Sequence, residues 1–216
     1  DDKVLAGRKL VILPLNGRLP DASSSALREY LAGGGKMLAF YNLSGDLARD
    51  AGVRGGPHVR QKTPGDFASI RPSDAPLPGL PPRTGQATWN INAAKPIEGK
   101  SRVAAYWYNA AGQSTGHAAL IASDNCVFMT HVLLDDDPPN KQRMLLAMIA
   151  SLRPELPAAA IERQIAQAGQ VAGSKDLDDL VRVLKEMDAG EAAQAELKRA
   201  GEQAEAARAC LKDKQW

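Results

Sequence analysis

The feature that most constrains this sequence is a pair of short, unbroken apolar runs separated by one helix-length segment. Residues 9–15 (KLVILPL) and 36–41 (KMLAFY) place apolar side chains at consecutive rather than alternating positions. A strand wetted on one face alternates, whereas a strand covered on both faces does not, so the run at 9–15 reads as a strand covered on both faces in a parallel sheet and the run at 36–41 as a second strand. Between them, Asp21 and Ser23, Ser24 and Ser25 offer helix caps. Leu27, Tyr30 and Leu31 recur at helical spacing, and Gly33, Gly34 and Gly35 stop the helix. After Tyr41 the chain turns through Asn42, Leu43 and Ser44, and Ser44 is suited to cap a short helix ending at Gly52. Strand, helix, strand and helix joined this tightly predict a right-handed α/β arrangement.

The pattern then lapses. Residues 54–82 hold seven prolines and only isolated apolar positions, which predicts an extended excursion rather than regular sheet. Strands resume at 87–91, 102–108, 117–123 and 126–131. Residues 109–112 (NAAG) and the pair Asp124 and Asn125 carry turn chemistry, so the late strands read as an antiparallel edge on a mostly parallel sheet. Asp135, Asp136 and Asp137 before Pro138 and Pro139 suit a helix start, and Leu145, Met148, Ile149 and Leu152 share one face of that helix.

Composition shifts at residues 154–157 (PELP), which divides the chain into an α/β domain over 1–156 and an alanine-rich helical extension over 157–216. Helices are expected over 158–171 and from Leu177 to Met187. A third places Ala193, Leu197, Ala200, Ala204, Ala207 and Leu211 at alternating four- and three-residue steps, a narrow seam of small residues. No capping residue stops this helix before Trp216, so the natural protein is expected to continue.

At 216 residues the chain has room for one ordinary domain and an appendage. Its +2 charge is a small difference between 27 basic and 25 acidic residues, with no basic stripe, so nucleic acid is not an expected partner. No apolar run approaches the roughly 18 residues that span a bilayer, and no membrane span is expected. Cys126 and Cys210 have neither metal-ligand spacing nor disulfide density. The chain opens on Asp1 without a leader, consistent with a signal peptide already removed or with a start inside a longer chain.

Open α/β sheets bind ligands at the carboxyl ends of their strands. Those ends supply Asn16, then Tyr41, Asn42 and Ser44, and finally His131 and Asp135, which together outline a candidate cleft. Two readings stay open: Asn16 and Asn42 as turn residues with Asp135 to Asp137 as a helix cap, or all of them as cleft lining. His131 ends an apolar strand where a general base would stand, yet no Ser or Cys occupies a G-x-S-x-G or G-x-C-x-G elbow for it to serve. Cys126, inside an apolar run, is expected to be buried and inert. Trp89, Tyr106, Trp107 and Tyr108 either stack on a sugar if exposed together or fill the core if buried. Three consecutive carboxylates cannot all converge on one ion, so Asp135 to Asp137 do not predict a metal, and no cofactor is expected.

Segments 10–20 (LVILPLNGRLP), 33–47 (GGGKMLAFYNLSGDL) and 127–146 (VFMTHVLLDDDPPNKQRMLL) resemble class I glutamine-amidotransferase-like domains of the non-catalytic sort. These are akin to β-galactosidase trimerisation domains and the trehalose-utilisation-type family. The segments are most similar to the module found ahead of a glycoside-hydrolase-like barrel in large bacterial proteins. The resemblance implies a flavodoxin-like fold whose amino-terminal strand is missing, a helical connector, a downstream carbohydrate-active domain and an exported or periplasmic bacterial setting. Active members carry a cysteine in the elbow after the strand here ending at Tyr41, where this chain has Asn42 and Leu43. They carry His-x-Glu where this chain has His131, Val132 and Leu133. The implied role is therefore binding or scaffolding, with a small polar ligand or carbohydrate as partner. The rival expectations are a sugar-directed hydrolase using His131 as base with Asp135, and an oligomerisation element assembling copies of the chain.

Overall fold

The computed structural model describes residues 2–15, 17, 19–43, 45–167, 170, 173–186 and 190–212. Asp1, Asn16, Ser44, Val171, Met187 and Trp216, named above, lie outside the described residues, as does the side chain of Leu211. The chain divides into two compact units, Asp1–Arg153 and Pro154–Trp216.

The first unit runs α1 (Asp2–Leu5), β1 (Val11–Leu13), α2 (Asp21–Ala32), β2 (Met37–Phe40), α3 (Gly45–Asp50), β3 (Val53–Arg54), β4 (His58–Arg60), β5 (Phe67–Pro72), β6 (Thr84–Thr88), β7 (Asn90–Asn92), β8 (Lys95–Pro96), β9 (Ser101–Tyr108), β10 (Ser114–Ser123), β11 (Cys126–Met129) and α4 (Pro138–Leu152). Seven strands form the main sheet in the order β1-β2-β11-β10-β9-β5-β6. β2 pairs in parallel with both β1 and β11, and every pair from β11 to β6 is antiparallel. Five strands point one way. The two that oppose them, β10 and β5, interleave on one side, so antiparallel pairing fills that half of the sheet. Two small ribbons, β3 with β8 and β4 with β7, sit apart from it.

Side chains of β2 and β11 explain why both strands are continuously apolar. Leu38, Phe40, Val127 and Met129 enter one core with Met144, Met148 and Leu152 of α4, while Met37, Ala39, Cys126 and Phe128 enter a second with Leu27 and Leu31 of α2 and Leu47 of α3. The alternating strand side chains thus serve two helical layers, and each fully buried Leu, Met or Phe stabilises the fold by about 1.5–3 kcal/mol.

The structure revises several local expectations. The stretch 54–82 is not outside the sheet: β5 lies within it and pairs with β9, because Phe67 and Ile70 are buried anchors between the prolines. Helix α2 begins at Asp21 behind Pro20, so Asp21 supplies a first-turn carboxylate instead of a cap. Asp137 does precede α4, but in a left-handed conformation with φ 52° and without a side-chain cap bond.

The second unit contains α5 (Glu155–Gln167), α6 (Leu177–Glu186) and α7 (Glu191–Lys212). α5 starts ahead of residue 158 because Pro157 falls in its first turn, where a missing N–H costs no helical bond. α7 packs against both α5 and α6. Leu197, Ala200, Ala204 and Ala207 of the seam are half-buried, whereas Ala193 is exposed.

Candidate functional site at the strand ends

Parallel pairing of β2 with β11 brings Tyr41, Asn42 and His131 to one end of the sheet, since Phe40 lies opposite Met129. Asn42 continues the turn and donates its N–H to the Phe40 carbonyl at 2.8 Å. The turn after β2 is strained at Tyr41, whose φ is 66°. A bulky side chain in the left-handed region costs about 1–2 kcal/mol, and such a residue persists only where its surroundings hold it. Here they do. The Tyr41 N–H donates to the Met129 carbonyl at 2.9 Å, Asn92 Nδ2 donates to the Tyr41 carbonyl at 3.1 Å, and Asn90 Nδ2 donates to the Tyr41 hydroxyl at 2.7 Å. The left-handed residue is therefore Tyr41, not the Asn42 and Leu43 pair at which the resemblance places the missing cysteine.

His131 is buried beside it, its ring edge-on to Tyr41 at 5.3 Å and to Trp107 at 6.4 Å. Its Nε2 lies 2.9 Å from Thr88 Oγ1, and its Nδ1 lies 3.2 Å from Gln86 Nε2 and 3.0 Å from the Val132 carbonyl. A neutral imidazole donates from one nitrogen and accepts at the other. With the proton on Nε2, donation runs from Gln86 to Nδ1, from Nε2 to Thr88, and from Thr88 Oγ1 to the Asn90 carbonyl at 3.0 Å. With the proton on Nδ1, donation runs from Nδ1 to the Val132 carbonyl and from Thr88 Oγ1 to Nε2, so both ring nitrogens are engaged in either tautomer. Burial holds this imidazole below its ordinary value. The Val132 carbonyl opposes that tendency and Lys141 adds to it.

Sequence reasoning did not single out Gln86, Thr88, Asn90 and Asn92, although their signal is present. Thr84, Gln86, Thr88, Asn90 and Asn92 are polar at every second position, as on one face of a strand, and all are buried. Trp89, on the opposite side, is 56% exposed beneath the Arg60 guanidinium at 5.4 Å. Trp107 is fully buried and donates its indole N–H to Thr130 at 2.9 Å. Tyr106 and Tyr108 are half-buried, so these aromatics form no common exposed platform.

The acidic triplet has a structural use at the same end. β6 is a sheet edge with free N–H groups. Asp137 accepts from Gly85 N–H at 2.6 Å, and Asp136 accepts from Ala87 N–H at 2.9 Å. Asp136 also pairs with buried Lys141, whose Nζ donates to the Leu134 carbonyl at 2.8 Å. For Asp136, burial works upward on the pKa but is outweighed by Lys141 and the Ala87 N–H, which leave it below the usual carboxylate range. Asp137 is held low chiefly by Gly85. Asp135 is exposed and does not join His131. Among the described residues, no three His, Cys, Asp or Glu side chains converge as metal ligands, and no helix is long and apolar enough to cross a membrane.

No family model and no curated protein sequence matches this chain. Among solved structures it is similar to a protein described as ThuA-like from Bacteroides uniformis ATCC 8492, at 11% identity and a TM-score of 0.53, covering 70% of this chain and 71% of that one. A glutamine amidotransferase from Thermotoga maritima matches at 11% identity and a TM-score of 0.39, covering 96% and 77%. A protein described as a GMP synthase component from Thermoplasma acidophilum matches at 13% identity and a TM-score of 0.45, covering 76% and 80%. The first similarity shows a shared fold: the chain has the α/β fold of that ThuA-like protein.

Proposed function

We propose that this chain is a non-catalytic amidotransferase-like module of a larger carbohydrate-active protein, acting by binding or scaffolding rather than by turnover. The observation that carries the reading is what occupies the turn after β2. A nucleophile elbow holds its reactive residue on a sharp, strained strand-to-helix turn. Here that position is Tyr41, its hydroxyl bound by Asn90 and its carbonyl by Asn92.

The remaining chemistry points the same way. A catalytic histidine is oriented by a carboxylate and keeps a nitrogen open to its nucleophile. The ring nitrogens of His131 instead meet Thr88, Gln86 and the Val132 carbonyl, all neutral. Cys126 begins β11 while His131 follows its far end, and Cys210 belongs to α7. The downstream carbohydrate-active domain, the connector role of α5, α6 and α7, and carbohydrate or a second copy as partner rest on the family resemblance.

The test is turnover by the 216-residue chain, following ammonia release from glutamine and aryl release from glycosides. The expected rate equals that of buffer and is the same for His131→Gln. A rate above buffer that His131→Gln abolishes overturns the reading in favour of a hydrolase with His131 as base.

A further inference from the structure

A second concave site lies away from the strand-end cluster, and none of Tyr41, Gln86, Thr88, Asn90, Asn92 or His131 lines it. It is a cavity of about 570 Å³ walled by the β3–β8 and β4–β7 ribbons and by β9 and β10. This volume falls within the 300–1,000 Å³ range of small-molecule pockets. Two glycines help shape it. A Cβ on Gly56 would sit 2.1 Å from the Ala93 carbonyl, so only glycine lets the two ribbon segments close together. Gly116, with φ 74°, falls in the irregular stretch where the pairing of β10 with β9 shifts register between Ser114 and Ala118, next to His117 in the cavity wall.

The lining combines two chemistries. Val59 and Val103, with prolines and alanines, make an apolar wall. The polar groups are Arg54, Lys95, Tyr106 and His117, with no Asp or Glu among the lining residues. Among the described residues, no hydrogen bond or ion pair engages the side chains of Arg54, Lys95 or Tyr106, and neither ring nitrogen of His117 has a hydrogen-bond partner. The His117 ring packs edge-on against Phe67 at 6.0 Å. Basic side chains gathered without a counter-ion repel one another, and burial and Lys95 together hold the His117 imidazole below its ordinary value. An anion entering the cavity relieves that repulsion while its hydrophobic body covers the apolar wall.

We infer that the cavity between the two ribbons and β9–β10 binds a small organic anion, an apolar body carrying one carboxylate. Arg54 and Lys95 meet the carboxylate at the mouth, the Tyr106 hydroxyl and His117 donate beside it, and Val59 and Val103 cover the body. This site does not depend on whether the strand-end cluster is catalytic.

The probe is 2-naphthoate, titrated into the full chain at low salt by calorimetry and by amide chemical shifts. Neutral 2-naphthamide, 2-naphthylmethylammonium and inorganic phosphate serve as controls. Saturable 2-naphthoate binding is expected, at least fivefold tighter than 2-naphthamide, with shifts centred on β8 and on residues 116–118. Arg54→Gln with Lys95→Gln replaces two exposed side chains, so the fold is retained, and should bring the carboxylate down to the affinity of the amide. Absence of binding, equal affinity for acid and amide, no effect of the double substitution, tighter phosphate than naphthoate binding, or shifts centred elsewhere would each overturn the inference.

Discussion

Replacing Tyr41 by Phe isolates one bond of the strand-end cluster. The change keeps the ring against His131 and His58 and the backbone bonds to Met129 and Asn92, and removes only the hydroxyl that accepts from Asn90 at 2.7 Å. Asn90 is 6% exposed, so its amide cannot readily turn to water. A buried donor left without an acceptor costs about 1–3 kcal/mol, and the half-buried position of Tyr41 places the expected loss near the lower end, about 1–2 kcal/mol. For a unit of this size, each kcal/mol lowers the melting temperature by roughly 2–4 °C. Near-ultraviolet circular dichroism during thermal and urea unfolding reads the loss through the ordered aromatic rings. The cycle with Asn90→Ala should return a coupling of about 1 kcal/mol, because the two side chains share the bond. Unchanged melting of Tyr41→Phe, or strict additivity in the cycle, would refute the claim that this turn is locked by its own polar partners.

Three further outcomes follow from the same structure. Burial pushes the Cys126 thiol up to about 12, so a thiol reagent should label Cys210 and leave Cys126 untouched in the native chain, while Cys126→Ala costs about 1–2 kcal/mol in packing. The Asp137 pKa is depressed on folding, so its stabilising contribution is complete above the unfolded carboxylate value of about 3.9 and drains away as the pH falls through the lower folded value. Asp137→Asn should therefore be less stable than wild type near neutrality, with the gap closing in acid; a pH-independent gap in urea midpoints contradicts the latch on Gly85. Ala204→Glu places a carboxylate on the half-buried seam of α7 and should lower stability by about 1–2 kcal/mol, less than at a fully buried site, as followed by far-ultraviolet circular dichroism.

Two of the three parallel strands were legible because burial on both faces leaves a strand no polar positions, whereas β1, equally apolar and expected to be covered on both faces, is the sheet edge and leaves Ile12 45% exposed. Residues 37–40 and 126–129 announce themselves in this way, as does the hairpin at Asp124 and Asn125. β5 was hidden because its two deep anchors, Phe67 and Ile70, are spaced by a small residue and a bulge among prolines, so no alternation survives. The polar period of Gln86, Thr88, Asn90 and Asn92 was visible, yet alternation gives two faces without saying which one turns inward. Ordinarily the polar face meets water. Here the loop carrying His131 to Leu134 covers it, and the apolar Trp89 is left outside. Placement of His131 at the same end as Tyr41 followed from strand order, whereas its neutral partners came from a segment distant in sequence that no local pattern ties to it. The acidic triplet reads as a helix cap in sequence, and only the position of β6 at the sheet edge turns two of its carboxylates toward strand N–H groups.

The central claim is that the strand-end cleft is closed by its own polar network, with both ring nitrogens of His131 engaged. Long-range proton–nitrogen correlation spectra of the His131 imidazole across a pH titration test it most directly. The network predicts a single neutral tautomer at pH 7, unchanged by added glutamine, with protonation only below the ordinary histidine value of about 6.5. A ring that exchanges between tautomers, titrates at or above that value, or shifts when glutamine is added would show a free nitrogen facing an open cleft, and would contradict the account.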